Sequence, residues 1–117
     1  DAPVIRRALE RGMTPMPGWG TVTEGLAACM AGARWLKLFP AVTYGPAHLK
    51  QALAVLPRDV VPIPVGGVGA DPDVLRAWRR AGAAGFGVGG ELYRPGDTPE
   101  AVRTKARAMM SALRAAG

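Results

Sequence analysis

Apolar and polar positions along the chain change period repeatedly, and the breaks fall at glycines and prolines. Ala2–Arg11 has helical composition and stops at Gly12, a residue common just past a helix end. Met13–Pro17 is a short apolar stretch that predicts a strand, closed by Gly18. Thr21-Val22-Thr23-Glu24 has the spacing of a capping box and predicts a helix through Leu26, Ala27 and Met30 to Gly32. Arg34–Phe39 then reads as a buried strand halted by Pro40. Pro46 suits the first turn of a helix carrying Leu49, Leu53 and Leu56. Val60–Val65 is a further apolar strand running into Gly66-Gly67, and Asp71-Pro72 opens a helix with Val74, Leu75 and Trp78 expected inward. Ala84–Gly89 reads as a glycine-rich strand, and Thr98-Pro99-Glu100 opens a last helix with Val102, Ala106, Met109, Met110 and Leu113 on one stripe.

The order is one helix followed by four strand–helix units, and such alternation implies an α/β fold of parallel strands joined by crossover helices. Two architectures meet it. One is a small open sheet. The other is about four β/α units of a (β/α)8 TIM-type barrel, whose full form takes roughly 250 residues against the 117 here.

Composition narrows the function classes. No apolar run reaches the ~18 residues of a membrane span, and DAPVIRRALERG lacks the apolar core of a signal peptide. The single Cys29 and single His48 supply neither a disulfide nor a clustered metal site, so no metal and a reducing cytoplasm are expected. Cys29 reads as a small buried hydrophobe, His48 as a rim residue, and Trp78 with the Met109–Met110 pair as packing. The net charge of +6 comes mostly from arginines. They fall on the predicted outer faces of separate helices rather than on one aromatic-interleaved surface. No nucleic-acid partner is therefore expected, while a small anionic substrate is favoured.

The chemistry-bearing residues lie at strand ends, where such folds gather their sites. Lys37 is the one lysine set in an apolar strand, whereas Lys50 and Lys105 have surface-helix surroundings. A neutral lysine amine in an apolar pocket attacks carbonyls to give a Schiff base. The alternative is a strand-end lysine reaching out to water. Val65-Gly66-Gly67-Val68 and Gly87-Val88-Gly89-Gly90 end successive strands. Paired glycine loops there let backbone N–H groups cradle a phosphate; the alternative is two tight turns. Gly85–Gly90 also spells the letters of a dinucleotide fingerprint, but a Pro-Gly turn follows it where that motif needs a helix.

Taken together, these pieces resemble the C-terminal half of the Schiff-base aldolases that cleave 2-keto-3-deoxy-6-phospho sugar acids. The resemblance rests on Pro17-Gly18 before the Thr23-Glu24 helix start, Leu36-Lys37-Leu38-Phe39-Pro40, Val65-Gly66-Gly67-Val68 and Gly87-Val88-Gly89-Gly90-Glu91-Leu92-Tyr93. It implies a (β/α)8 barrel, commonly a homotrimer, with no metal or organic cofactor. Lys37 would form the imine with pyruvate or the phosphorylated keto sugar acid, beside Phe39. Gly66, Gly67, Gly89 and Gly90 match the phosphate-binding loops. Val65 stands where the phosphogalactonate branch carries valine and the phosphogluconate branch threonine, so the galactonate type is expected.

The family usually has serine where Gly90 stands. Its general acid/base glutamate comes from the first half of the barrel, and Glu24, Glu91 and Glu100 do not match that position. The chain is therefore expected to lack the N-terminal half. Three functions follow from the sequence: such an aldolase, active with that half present; a non-catalytic half-barrel or phosphosugar-binding module; or another phosphate-binding barrel enzyme sharing only the glycine loops.

Overall fold

A computed structural model describes all residues from Asp1 to Gly117. In chain order the elements are α1 (Ala2–Glu10), β1 (Gly18–Trp19), α2 (Val22–Met30), β2 (Trp35–Leu38), α3 (Ala41–Leu53), β3 (Val61–Pro64), α4 (Pro72–Arg80) and α5 (Pro99–Ala115). The three strands form one parallel sheet in the order β1-β2-β3, with Gly18 opposite Lys37 and Lys37 opposite Ile63.

Helix starts follow from local side-chain chemistry. Thr21 Oγ1 accepts from the Glu24 N–H, and Glu24 Oε2 accepts in return from the Thr21 N–H at 2.9 Å. Asp71 Oδ1 accepts from Asp73 N at 2.8 Å to open α4, and Thr98 Oγ1 accepts from Ala101 N to open α5. Each cap satisfies N–H groups that a helix start leaves free. Gly12, Gly32 and Gly82 follow α1, α2 and α4, all with positive φ. The third helix departs from expectation because it already begins at Ala41. Non-helical Gly45 breaks it, and Pro46 starts the second stretch.

Two expected strands are corrected. Met13–Pro17 has no regular structure, and the strand lies instead at Gly18–Trp19. Pro15 and Pro17 lack the N–H that a ladder needs, although the Pro17 carbonyl still accepts from Lys37 N. Ala84–Gly89 yields only a single parallel bridge, Val65 to Gly87. The cause lies on the neighbouring strand. Ala84 and Gly87 donate to the carbonyls of Pro62 and Pro64, but those prolines have no N–H to offer back. The segment still occupies a fourth strand position, next to β3.

The core lies between the sheet and its helices. Leu36, Leu38, Leu49 and Leu75 are fully enclosed, joined by Trp19, Trp78, Val68 and Met109, and no polar or charged side chain is buried. Cys29 is buried as expected, and that burial raises its thiol pKa, against the lowering pull of Arg34. Two inward assignments fail: Val74 and Met110 are exposed, on helix flanks that neither the sheet nor a neighbouring helix covers. No helix is long and apolar enough to cross a membrane.

Candidate active site

The candidate site stands on the face of β2 opposite the core. Alternation along β2 sends Leu36 and Leu38 to the core and Trp35 and Lys37 to the other side, with Phe39 just beyond the strand. Lys37 is thus only half-buried. The sequence suggested a fully buried strand because its apolar residues run on both faces, and only one face is covered. The Lys37 amine sits 4.8 Å from the centroid of the Phe39 ring, within cation–π range. Trp35 is 40 % exposed and Phe39 51 %, so the closed apolar pocket expected around the lysine is open.

Lys37 lines a cleft of about 230 Å³ with Gly20, Glu24, Phe39 and Tyr44, at the C-terminal ends of β1 and β2. The Glu24 carboxylate beside it is already held. Oε2 accepts from Gly20 N, Thr21 N and Thr21 Oγ1. The Thr21 backbone bond first, then the Gly20 one, keep its pKa below the ordinary carboxylate value. Glu24 is therefore an ionised carboxylate near neutral pH, held through one oxygen by the start of α2. Tyr44 was not legible as a site residue. It precedes the Gly45 break, which brings its hydroxyl against Gly20, where a Cβ would lie 2.0 Å from it.

His48, expected at the rim, is half-buried behind the cleft. Its ring lies 4.7 Å from that of Tyr44 and 6.0 Å from that of Trp19. His48 Nε2 and Trp19 Nε1 are enclosed without hydrogen-bond partners. A larger cavity of about 480 Å³ lies between α1 and the 13–18 segment, lined by Val4, Ile5, Met13 and Met16. It holds neither lysine nor glycine loop and is a packing groove at the β1 edge.

Beyond β3 the chain turns through Gly66 and Gly67, at φ +92° and +80°. Side chains are excluded there twice over: by the left-handed backbone, and because a Cβ would come 3.0 Å from Phe39 Cε2 at Gly66 and 2.7 Å from Val42 Cβ at Gly67. The two residues thus form a tight turn that only glycine fits. Gly89 and Gly90 differ, since neither has positive φ and both have room for a Cβ. Val65 lies at the end of β3 with its side chain over Gly87, where a Cβ would meet Val65 Cγ2 at 2.5 Å.

The Phe39 ring links the two halves of the site, with the Lys37 amine on it and Gly66 against its edge. The two glycine loops are bridged in turn by a residue the sequence reading had set aside. Glu91 Oε1 accepts from Gly67 N at 3.0 Å, and Oε2 from Gly89 N at 3.1 Å. Gly90 stands apart from this bridge, its carbonyl accepting from Arg94 Nε. The structure therefore brings Lys37, Phe39 and Gly66 together, joins Gly67 to Gly89, and leaves Val65 beside Gly87. No group of three or more His, Cys, Asp or Glu side chains is placed to hold a metal ion.

No family model matches the chain. Individual proteins do. It is 46 % identical over 113 residues to the 2-dehydro-3-deoxy-6-phosphogalactonate aldolase of Escherichia coli (strain K12), a match over 97 % of this chain and 54 % of that protein. A solved native KDPGal structure superposes with a TM-score of 0.92 at 45 % identity, over 99 % of this chain and 55 % of the other. A 4-hydroxy-2-oxoglutarate aldolase/2-deydro-3-deoxyphosphogluconate aldolase from TTHB1 superposes at 0.78 with 30 % identity, over 97 % and 55 %. The chain spans about half the length of the curated relatives it matches.

Proposed function

The chain belongs to the family of the 2-dehydro-3-deoxy-6-phosphogalactonate aldolases and has the TIM-barrel type of fold, and on that premise we propose that it carries their imine-forming lysine and phosphate loops. One observation supports this reading above the rest: the Phe39 ring is a wall shared by the Lys37 amine and the Gly66 turn. A substrate lying across that ring would meet an amine at its keto end and backbone N–H groups at its phosphate end. Of the other lysines, Lys50 is exposed on α3 and Lys105 is paired with Asp97.

In the proposed reaction the neutral Lys37 amine adds to the C2 carbonyl of 2-dehydro-3-deoxy-6-phosphogalactonate, and loss of water gives the imine. The C3–C4 bond breaks as the C4 hydroxyl loses its proton. Its electron pair passes into the imine as an enamine, and glyceraldehyde 3-phosphate departs. Protonation at C3 and hydrolysis then release pyruvate and restore the lysine. The chemistry asks for no metal or organic cofactor.

Gly66, Gly67, Gly89 and Gly90 are assigned to the phosphate, Phe39 and Val65 to the sugar-acid chain. Valine at position 65 offers no hydroxyl to a substrate hydroxyl, which favours the galactonate epimer over the gluconate one. We place the chain as the C-terminal half of the barrel, in a cytoplasmic homotrimer, with proton transfer supplied from the other half. Proton transfer is assigned outside this chain because Glu24, Glu91 and Glu100 do not match the family's acid/base position, and Glu24 is engaged by the start of α2. The same two observations keep a second reading, a phosphosugar-binding half-barrel without turnover.

The test is pyruvate release from the two epimeric phospho sugar acids. Faster release from the galactonate epimer, shifted toward the gluconate epimer by Val65→Thr, is the expected result. Binding without release from either epimer, by the folded chain assembled with the other half of the barrel, selects the second reading.

A further inference from the structure

Both oxygens of the Glu91 carboxylate are taken by the cradle, one N–H from each glycine loop, at 3.0 Å from Gly67 and 3.1 Å from Gly89. Backbone N–H groups converging from two loops form the kind of nest that binds phosphate oxygens. Here they hold an anion that the chain itself provides. We propose that Glu91 is a built-in competitor for the phosphate site, so that a phosphate group binds only by displacing its carboxylate. The inference rests on the phosphate reading of the glycine loops given above.

The surroundings fit a competitor. Glu91 is half-buried, and its pKa lies below the ordinary carboxylate value because of its own backbone N–H first, then those of Gly89 and Gly67, with Arg94 adding a smaller pull. It is ionised at neutral pH. Two anions cannot take the same two N–H donors, and a displaced carboxylate beside a phosphate dianion repels it. The nearby cation, Arg94, is tied by Nε to the Gly90 carbonyl at 3.1 Å rather than to the carboxylate. An anion with a single charge and one weak acceptor would fail to displace Glu91, whereas a phosphate monoester, with more charge and three acceptor oxygens, gains enough to do so. Glu91 then acts as a specificity-determining residue for the substrate's far end.

The opposing explanation is a structural staple, in which Glu91 merely organises the loops for the ligand. The two predict opposite signs. Inorganic phosphate is titrated by calorimetry into the unmodified chain, Glu91→Gln and Glu91→Ala, with Glu100→Gln, whose carboxylate pairs with Arg103 and not with the glycine loops, as a charge control. Competition predicts binding about tenfold tighter in Glu91→Ala, or ~1.4 kcal/mol, with Glu91→Gln between and the control within twofold of the unmodified chain. Equal or weaker binding in both Glu91 variants overturns the competitor while leaving the phosphate site standing. No phosphate binding by any of the proteins overturns both.

The unmodified chain gives a second reading, immune to any folding defect in a variant. By reciprocity, phosphate that displaces the carboxylate must raise the Glu91 pKa, read from its side-chain carbon shift by NMR. A pKa unmoved at saturating phosphate also overturns the proposal.

Discussion

Leu36 and Leu38 on one face of β2 are fully enclosed, while Trp35 on the other face and Phe39 beyond it keep 40 % and 51 % of their exposure, with Lys37 half-buried between them. The two faces are made of similar residues and follow different logic. The first is set by packing against the helices, where each side chain has neighbours on all sides. The second is packed less fully: Glu24 of α2 and Tyr44 of α3 reach the cleft beside the Lys37 amine, while Trp35 and Phe39 stay exposed. A strand apolar on both faces is the usual sign of a parallel sheet covered on both sides. Within this chain one face is packed against helices, and the proposed imine-forming lysine lies on the other.

Mutations on the two faces should therefore separate cleanly. The largest stability effect is expected from Leu36→Ala or Leu38→Ala, which should lose about 2–5 kcal/mol in denaturant unfolding through lost burial and the cavity left behind. Trp35→Ala on the open face should lose clearly less than either. A loss equal to that of Leu36→Ala would break the comparison and place a cover over the open face. Gly67→Ala comes next. It forces a Cβ into a left-handed turn and against Val42, with an expected loss of about 1–3 kcal/mol, whereas Gly89→Ala should leave stability nearly unchanged. Thr21→Ala removes one half of the capping box and should lose about 1 kcal/mol.

The smallest effect is the pH dependence of two carboxylates, one exposed and one half-buried. Glu24 and Asp97 both have lowered folded pKa values, Glu24 through the Thr21 and Gly20 N–H groups and Asp97 chiefly through Lys105. A lowered pKa means the unfolded chain binds the proton more readily. Their stabilisation is therefore fully present above the ordinary carboxylate range, and is lost as pH falls through the folded values. Unfolding midpoints followed from pH 7 downward should be flat with respect to these groups until that range and then decline. Rising stability on acidification would contradict the sign.

Much of this was legible in the sequence wherever the signal was local. Thr21 with Glu24, Asp71 with Pro72, and Thr98 carry their helix starts within three or four residues, and all three form as read. The strands at 35–38 and 61–64 also fall inside their predicted ranges. Failures came where a distant partner decides. The weak fourth strand depends on Pro62 and Pro64 withholding N–H groups from a segment some twenty residues away. Tyr44 enters the cleft only because the chain breaks at Gly45. Glu91 was visible as a carboxylate that fits no acid/base role, but its bond to Gly67 spans 24 positions and has no sequence pattern to announce it. Val74 and Met110 were placed inward by helical period alone, which says nothing of how wide a face the neighbours cover.

Borohydride trapping with pyruvate asks whether the lysine on the open face of β2 forms an imine, as we propose. A reduced pyruvyl adduct is expected on the peptide containing Lys37, absent in Lys37→Met, with none on Lys50 or Lys105. Adducts spread over Lys50, Lys105 and the N-terminus, or no adduct at all in a folded sample, would contradict it.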